Sequence, residues 1–160
     1  MEALLIIDVQ EGLTKGKKLY NEEVFIDTVN SAIDKFRKKG DMIIFFQHNN
    51  KQLVKGKEEW KIDNRIDKKE DDIVLQKSHS DAFEKTDLQN ILQENKIEEI
   101  TISGLVSHGC VKHTCKDGIQ RGFKTNLLAN GHTNWNKDAQ DKISFTEVEL
   151  KKLGVKVIKE

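Results

Sequence analysis

The chain is 160 residues long and carries 27 Lys+Arg against 27 Asp+Glu, so its formal net charge is zero. That length suits one domain over residues 1–160 with most apolar side chains buried, and the charge balance excludes electrostatic steering toward nucleic acid. Two cysteines are too few for a disulfide scaffold, no apolar run reaches membrane-span length, and no basic leader precedes the first strand; a cytoplasmic, reduced protein without a membrane or nucleic-acid partner is expected.

Ala3-Leu4-Leu5-Ile6-Ile7 is a continuous apolar run closed by Asp8, the pattern of a strand buried on both faces. Asn21 is placed to cap a helix running to about Lys39, with Glu22 and Glu23 in its first turn, Phe25, Val29, Ile33 and Phe36 along its apolar stripe, and Gly40 as its stop. Met42 to Phe46 reads as the second strand. The stretch from His48 to Asp72 is long, polar and poorly periodic, a surface excursion of the sort that carries function.

Ile73-Val74-Leu75 is a short third strand ending at Lys77, and Asp87 to Lys96 is helical with Leu88, Ile91 and Leu92 inward. Glu99 to Gly104 forms strand four, Cys110 to Gly122 the helix after it, and Lys124 to Ala129 strand five. A loop over 130–136 leads to a helix from Asp138 to Leu153, and Val155 to Ile158 closes the chain as strand six. Strands alternating with helices predict an α/β fold, with a mostly parallel six-stranded sheet between helices on both faces, a Rossmann-like three-layer sandwich.

Ligands of parallel sheets bind beyond the carboxyl ends of the strands. Asp8, Lys77 and Cys110 all stand at that edge, an acid, a base and a thiol on one rim. Cys110 opens a helix after a short turn, where free N–H groups and the helix dipole favour a thiolate and a neighbouring oxyanion. Lys77 is expected to lower the thiol pKa, and Asp8 to accept and return its proton. Cys115 reads as a buried packing residue. On a continuous helix it would lie about 7.5 Å along the axis and roughly 140° around from Cys110, too far for a disulfide or thiol redox chemistry.

Three blocks carry a resemblance. Leu5-Ile6-Ile7-Asp8-Val9-Gln10, Gln76-Lys77-Ser78-His79-Ser80-Asp81-Ala82-Phe83 and Ser103-Gly104-Leu105-Val106-Ser107-His108-Gly109-Cys110-Val111 resemble, in order, the motifs of the isochorismatase-like cysteine hydrolases. Thr86-Asp87-Leu88 and Trp60 fit the same pattern. The resemblance implies an Asp8–Lys77–Cys110 triad and homodimers or larger assemblies. It also implies a cis peptide at Leu105–Val106, with the Val106 and Cys110 N–H groups as the oxyanion hole.

Relatives that hydrolyse nicotinamide hold a metal with an Asp and histidines after strand two. The matching stretch here, Gln47-His48-Asn49-Asn50, lacks that acid and a paired histidine, so no metal and no cofactor are expected. Relatives acting on isochorismate itself do without the cysteine. Retention of Cys110 therefore implies cleavage of an amide or related C–N bond of a small molecule through a thioester. Gln10, His48, Trp60, His79, Phe83 and Ser107 are the candidate substrate-binding residues, Gln10 and Ser107 as hydrogen-bonding supports. His113 is read as a helix-surface residue without a specific role, and His132 lies in a segment, Asn130-Gly131-His132-Thr133, that departs from the relatives' pattern. The competing reading is a catalytically inactive relative kept as a small-molecule binding or assembly module.

Overall fold

Six parallel strands form one sheet in the order β3-β2-β1-β4-β5-β6 in the computed structural model, which describes residues 1–160. The strands are β1 (Glu2–Ile7), β2 (Met42–His48), β3 (Ile73–Lys77), β4 (Glu99–Leu105), β5 (Lys124–Thr133) and β6 (Lys156–Ile158). Between them run α1 (Glu11–Thr14), α2 (Glu22–Lys38), α3 (Leu88–Glu94), α4 (Lys112–Gln120) and α5 (Ala139–Lys152). The expected architecture is the observed one, and the sheet is parallel throughout.

The period of two in β1 divides the core. Ala3, Leu5 and Ile7 point to the side covered by α3, α4 and α5, meeting Leu88, Leu92, Val111, Cys115 and Leu150. Leu4 and Ile6 point the other way, onto Phe25, Val29, Ile33 and Phe36 of α2. Both faces of β1 are thus sealed, which is why its sequence shows no polar alternation. No helix is long and apolar enough to cross a membrane.

The strand order reverses between β1 and β4, making a crevice at their carboxyl ends, where α/β proteins place their ligands. Gly104 makes the close approach there possible. It pairs with Ile7 at φ +119°, and a Cβ at this position would overlap the Ile7 carbonyl. Any side chain at residue 104 would push apart the two strands that carry Asp8 and the Cys110 turn.

Several sequence-based boundaries shift. Helix α4 begins at Lys112, not Cys110, because Gly109 (φ −119°, ψ −113°) interrupts the helical path; Cys110 lies in the π-helical turn Ser107–Val111 just before it. Asn21 precedes α2 in a left-handed conformation (φ 50°) and makes no side-chain capping bond. Strand β5 continues through the expected 130–136 loop to Thr133, past a register shift against β4 and with Asn130 at φ 63°.

The 49–72 excursion is pinned rather than loose. It contains a 3-10 turn, Glu58–Trp60, and pairs Ile62 with Gln10. Arg37 of α2 grips Asp72 through two hydrogen bonds of 2.8 and 2.7 Å.

Candidate active site

Four consecutive strands in sheet order, β3, β2, β1 and β4, deliver Lys77, His48, Asp8 and Cys110 to one edge. Asp8 leaves β1 with φ 57°, a left-handed conformation that Asp adopts more readily than most residues, while its N–H still bonds the Phe46 carbonyl at 3.2 Å. Lys77 ends β3 with its side chain fully buried. Its Nζ lies 3.0 Å from Asp8 Oδ2, 2.7 Å from His48 Nδ1 and 3.3 Å from Cys110 Sγ. An ammonium has three N–H donors, so every one of them has a partner. The Leu105–Val106 peptide is cis, and the Val106 N–H donates to no acceptor within the protein.

Each charge is set by a nameable balance. Burial pushes the Asp8 carboxyl above the usual range, against the opposing pull of Lys77 and His48, and its Oδ1 is buried without a partner. Burial also raises the Cys110 thiol, and the nearby Asp8 adds to the rise; Lys77 and Ser80 oppose it without reversing it. This corrects the expectation of a lowered thiol pKa: desolvation outweighs the lysine, and the helix starts two residues too late for the sulfur to sit on its first residue. His48 is lowered by burial and by Lys77, so near neutral pH its ring is uncharged and Nδ1 accepts from the ammonium.

The other expected residues divide. Gln10 is fully buried and braces the backbone: its Oε1 accepts from the His48 N–H at 2.9 Å, and its Nε2 donates to the carbonyls of His48 and Trp60 at 3.1 and 2.8 Å. Trp60 donates from Nε1 to Gln76 Oε1 at 3.1 Å. His79 is half-buried, with Nδ1 unpartnered. Phe83 is not a pocket wall: it is buried and stacked on Phe123 at 5.9 Å between ring centroids. Ser107 is fully buried and turns from the site toward His132 Nδ1 at 2.8 Å, while His132 Nε2 meets Glu147 Oε2 at 2.8 Å. Phe83 and Ser107 are thus both engaged in contacts within the protein. A cavity of about 350 Å³ lined by His132, Tyr20, Val24, Gln140 and Glu147 among others contains none of Asp8, Lys77 and Cys110.

Two contacts went unread in the sequence. The Ser80 hydroxyl lies 3.7 Å from Cys110 Sγ and 2.5 Å from His113 Nδ1. Ser80 sits inside the second motif block, but nothing in its spacing from Cys110 or His113 signals a contact across 30 or more residues.

One atom each of Asp8, His48 and Cys110 lie within 4.8 Å of one another, a donor set chemically able to bind a metal. Lys77 Nζ occupies their midst, however, within 3.3 Å of all three. A divalent ion there would face an ammonium at contact distance, so this set does not fit a metal. Gln47 and Asn49 are committed elsewhere: the Gln47 amide bonds Gln76 and the Trp60 carbonyl, and Asn49 Nδ2 donates to Gln76 Oε1.

The fold is thus an α/β protein with an all-parallel sheet, and an acid, a lysine and a cysteine converge at its switch point. The model of the Isochorismatase domain matches residues 2–159, and the chain belongs to the isochorismatase family. A secreted isochorismatase effector, Isc1, of Verticillium dahliae is 30% identical over 125 residues, 75% of this chain and 66% of that protein. N-carbamoylsarcosine amidase of Arthrobacter sp. is 36% identical over 63 residues, 39% of this chain and 24% of the amidase. The matches thus span less than two thirds of either relative's length. The pyrazinamidase of Pyrococcus horikoshii, solved in complex with zinc, superposes with a TM-score of 0.88 at 23% identity, covering 99% of each chain, which is a likeness of fold.

Proposed function

We propose that this chain is a metal-independent cysteine hydrolase that cleaves an amide or related C–N bond of a small molecule, with Asp8, Lys77 and Cys110 as its catalytic residues. The observation that carries the reading is the buried Lys77 ammonium, bonded at once to the Asp8 carboxylate and the Cys110 sulfur. A lysine is almost never fully buried unless its charge is paired, and here the pairing places that charge on the acid and the thiol. The named activity of the Arthrobacter relative, an amidase, fits the same bond type.

Asp8 takes the thiol proton, and Cys110 Sγ attacks the carbonyl carbon. Its raised pKa suits a carboxyl that must hold a proton between two transfers. The Val106 and Cys110 N–H groups receive the oxyanion; losing one such donor typically costs roughly 10²–10³ in turnover. Asp8 then gives its proton to the departing nitrogen, the C–N bond breaks and an acyl thioester remains on Cys110. Water enters, loses a proton to Asp8 and attacks the thioester; the C–S bond breaks, the acid leaves and Asp8 returns the proton to sulfur. Lys77 keeps one positive charge beside the carboxylate and the sulfur throughout. The chain works as one domain over 1–160 and assembles with copies of itself.

Intact-mass detection of an acyl adduct tests this with a panel of small amides: nicotinamide, carbamoyl compounds and lactam-like molecules. One or more should add an acyl group to Cys110, and the adduct should be absent from Cys110→Ala. No adduct on Cys110 with any amide of the panel would favour the binding-module reading.

A further inference from the structure

We propose that Ser80 and His113 form a second hydrogen-bond arm on the Cys110 sulfur, beside the Lys77–Asp8 arm, and that this arm stabilises the thiolate as the proton departs. The inference deepens the hydrolase reading and rests on Cys110 being the nucleophile.

The geometry is a chain of three groups. Cys110 Sγ is 3.7 Å from Ser80 Oγ, and Ser80 Oγ is 2.5 Å from His113 Nδ1. Lys77 meets the sulfur from the β3 side, whereas Ser80 comes from the loop after β3 and His113 from the exposed second residue of α4. Ser80 touches the reacting atom; His113 acts through Ser80 and is a positioning residue.

A hydroxyl has one hydrogen to give. While the sulfur is a thiol, Ser80 can spend that hydrogen on His113 Nδ1. Once the thiol proton has moved to Asp8, the hydrogen is worth more on the anionic sulfur, because bonds to charged acceptors are the stronger ones. Ser80 can turn only if His113 then presents Nδ1–H in place of a lone pair. A neutral imidazole does this by changing tautomer, and the exposure of His113 lets water carry the exchange.

His113 is kept below its ordinary pKa by partial burial and by Lys112 and Lys116 on its own helix, with Glu149 of α5 opposing them. It is therefore neutral near pH 7, with either tautomer open to it. Asp81, next in the chain to Ser80, accepts from the Phe83 N–H and faces Asp117, so it does not compete for the Ser80 hydroxyl. The charged groups facing the sulfur itself are Asp8 and Lys77.

The test needs no substrate. The rate of Cys110 alkylation by iodoacetamide, which forms the S–C bond and releases iodide, is measured against pH on the full chain by peptide mass. Cys115 is fully buried and gives a separate peptide signal. Ser80→Ala should displace the profile to higher pH and slow alkylation near neutrality roughly tenfold, the low end for losing a bond to a charged acceptor. Ser80→Thr, which keeps the hydroxyl, should restore the parent profile, and His113→Ala should fall between parent and Ser80→Ala. A Ser80→Ala profile superimposable on the parent overturns the proposal. So does equal slowing at every pH, including the high-pH plateau, since that reports access to the sulfur and not thiolate stability. A parent-like His113→Ala overturns the part assigned to His113. Failure of every amide to acylate Cys110 would sink the hydrolase reading but leave this comparison intact, so the two failures are distinguishable.

Discussion

Two buried aspartates, Asp8 at the sheet edge and Asp63 in the 49–72 loop, are handled in opposite ways. Asp63 is fully satisfied. Its Oδ2 accepts from Thr14 Oγ1 at 2.6 Å and from Arg65 Nη2 at 2.7 Å, and its Oδ1 from the Arg65 N–H at 2.9 Å and Nε at 3.1 Å. These hydrogen bonds, with the Arg65 charge, overcome burial and hold its carboxyl at about 2. Asp8 has one oxygen on Lys77 and the other idle, and burial drives its carboxyl upward. A carboxylate whose every lone pair is claimed can only hold structure together. One with an idle oxygen and a raised pKa is ready to receive a proton.

Replacing Asp8 breaks this comparison hardest. Asp8→Asn should slow thioester formation about 10²–10⁴-fold per folded molecule, the range for losing a general base, read by intact mass at early times. It also leaves the buried Lys77 ammonium without a counter-charge, which costs stability. The double variant Asp8→Asn, Lys77→Met removes both charges and should regain stability in urea melts while forming no thioester. A double variant less stable than Asp8→Asn would contradict the view that Lys77 is kept for chemistry and not for the fold.

These roles were unequally legible in the sequence. Asp8, Lys77 and Cys110 could be read because each follows a buried strand or its turn, and a polar residue closing an apolar run stands out. The fold was legible for the same reason: unbroken runs such as Leu4–Ile7 admit only a doubly covered strand. Ser80 with His113, and Ser107 with His132 and Glu147, were not legible, because those pairings depend on how separate elements dock. The start of α4 is hidden from the sequence because the backbone torsions at Gly109 decide it, and no composition signal marks them. The raised thiol pKa is not legible either, because a sequence shows the neighbouring charges but not the burial that outweighs them.

Asp63 carries the second test. Asp63→Asn keeps the shape but loses the charge that Arg65 and Thr14 meet, and should cost about 2 kcal/mol at pH 7. Because the folded pKa is depressed, this contribution is present above the ordinary aspartate range near 4 and is lost as pH falls toward about 2. Urea melts of parent and variant should therefore converge between pH 4 and 2, while the rate of thioester formation per folded molecule stays unchanged. Asp8 runs the other way: its pKa is raised, so its contribution is present at low pH and is lost as pH rises through its folded value. A variant at Asp63 that lost thioester formation while remaining folded would erase the distinction between the two residues.

Asp81 is intermediate and gives the smallest effect. Partial burial and the facing carboxyl of Asp117 push it up to about 7, although Arg121, which bonds Asp117 Oδ2 at 2.9 Å, opposes the rise. Asp117 is correspondingly low, so near neutrality one proton serves the pair, held on Asp81. A raised carboxyl contributes stability below its unfolded pKa and loses it as pH climbs through the folded value, here between about 4 and about 7. Asp81→Asn supplies a permanent N–H toward Asp117 and removes the like charge that appears above pH 7. The variant should melt within a degree or so of the parent at pH 5 and about 2–4 °C above it at pH 9, the displacement that about 1 kcal/mol produces in a chain of this size. Equal differences at the two pH values would mean that Asp81 and Asp117 do not share a proton, and that its carboxyl is an ordinary surface acid.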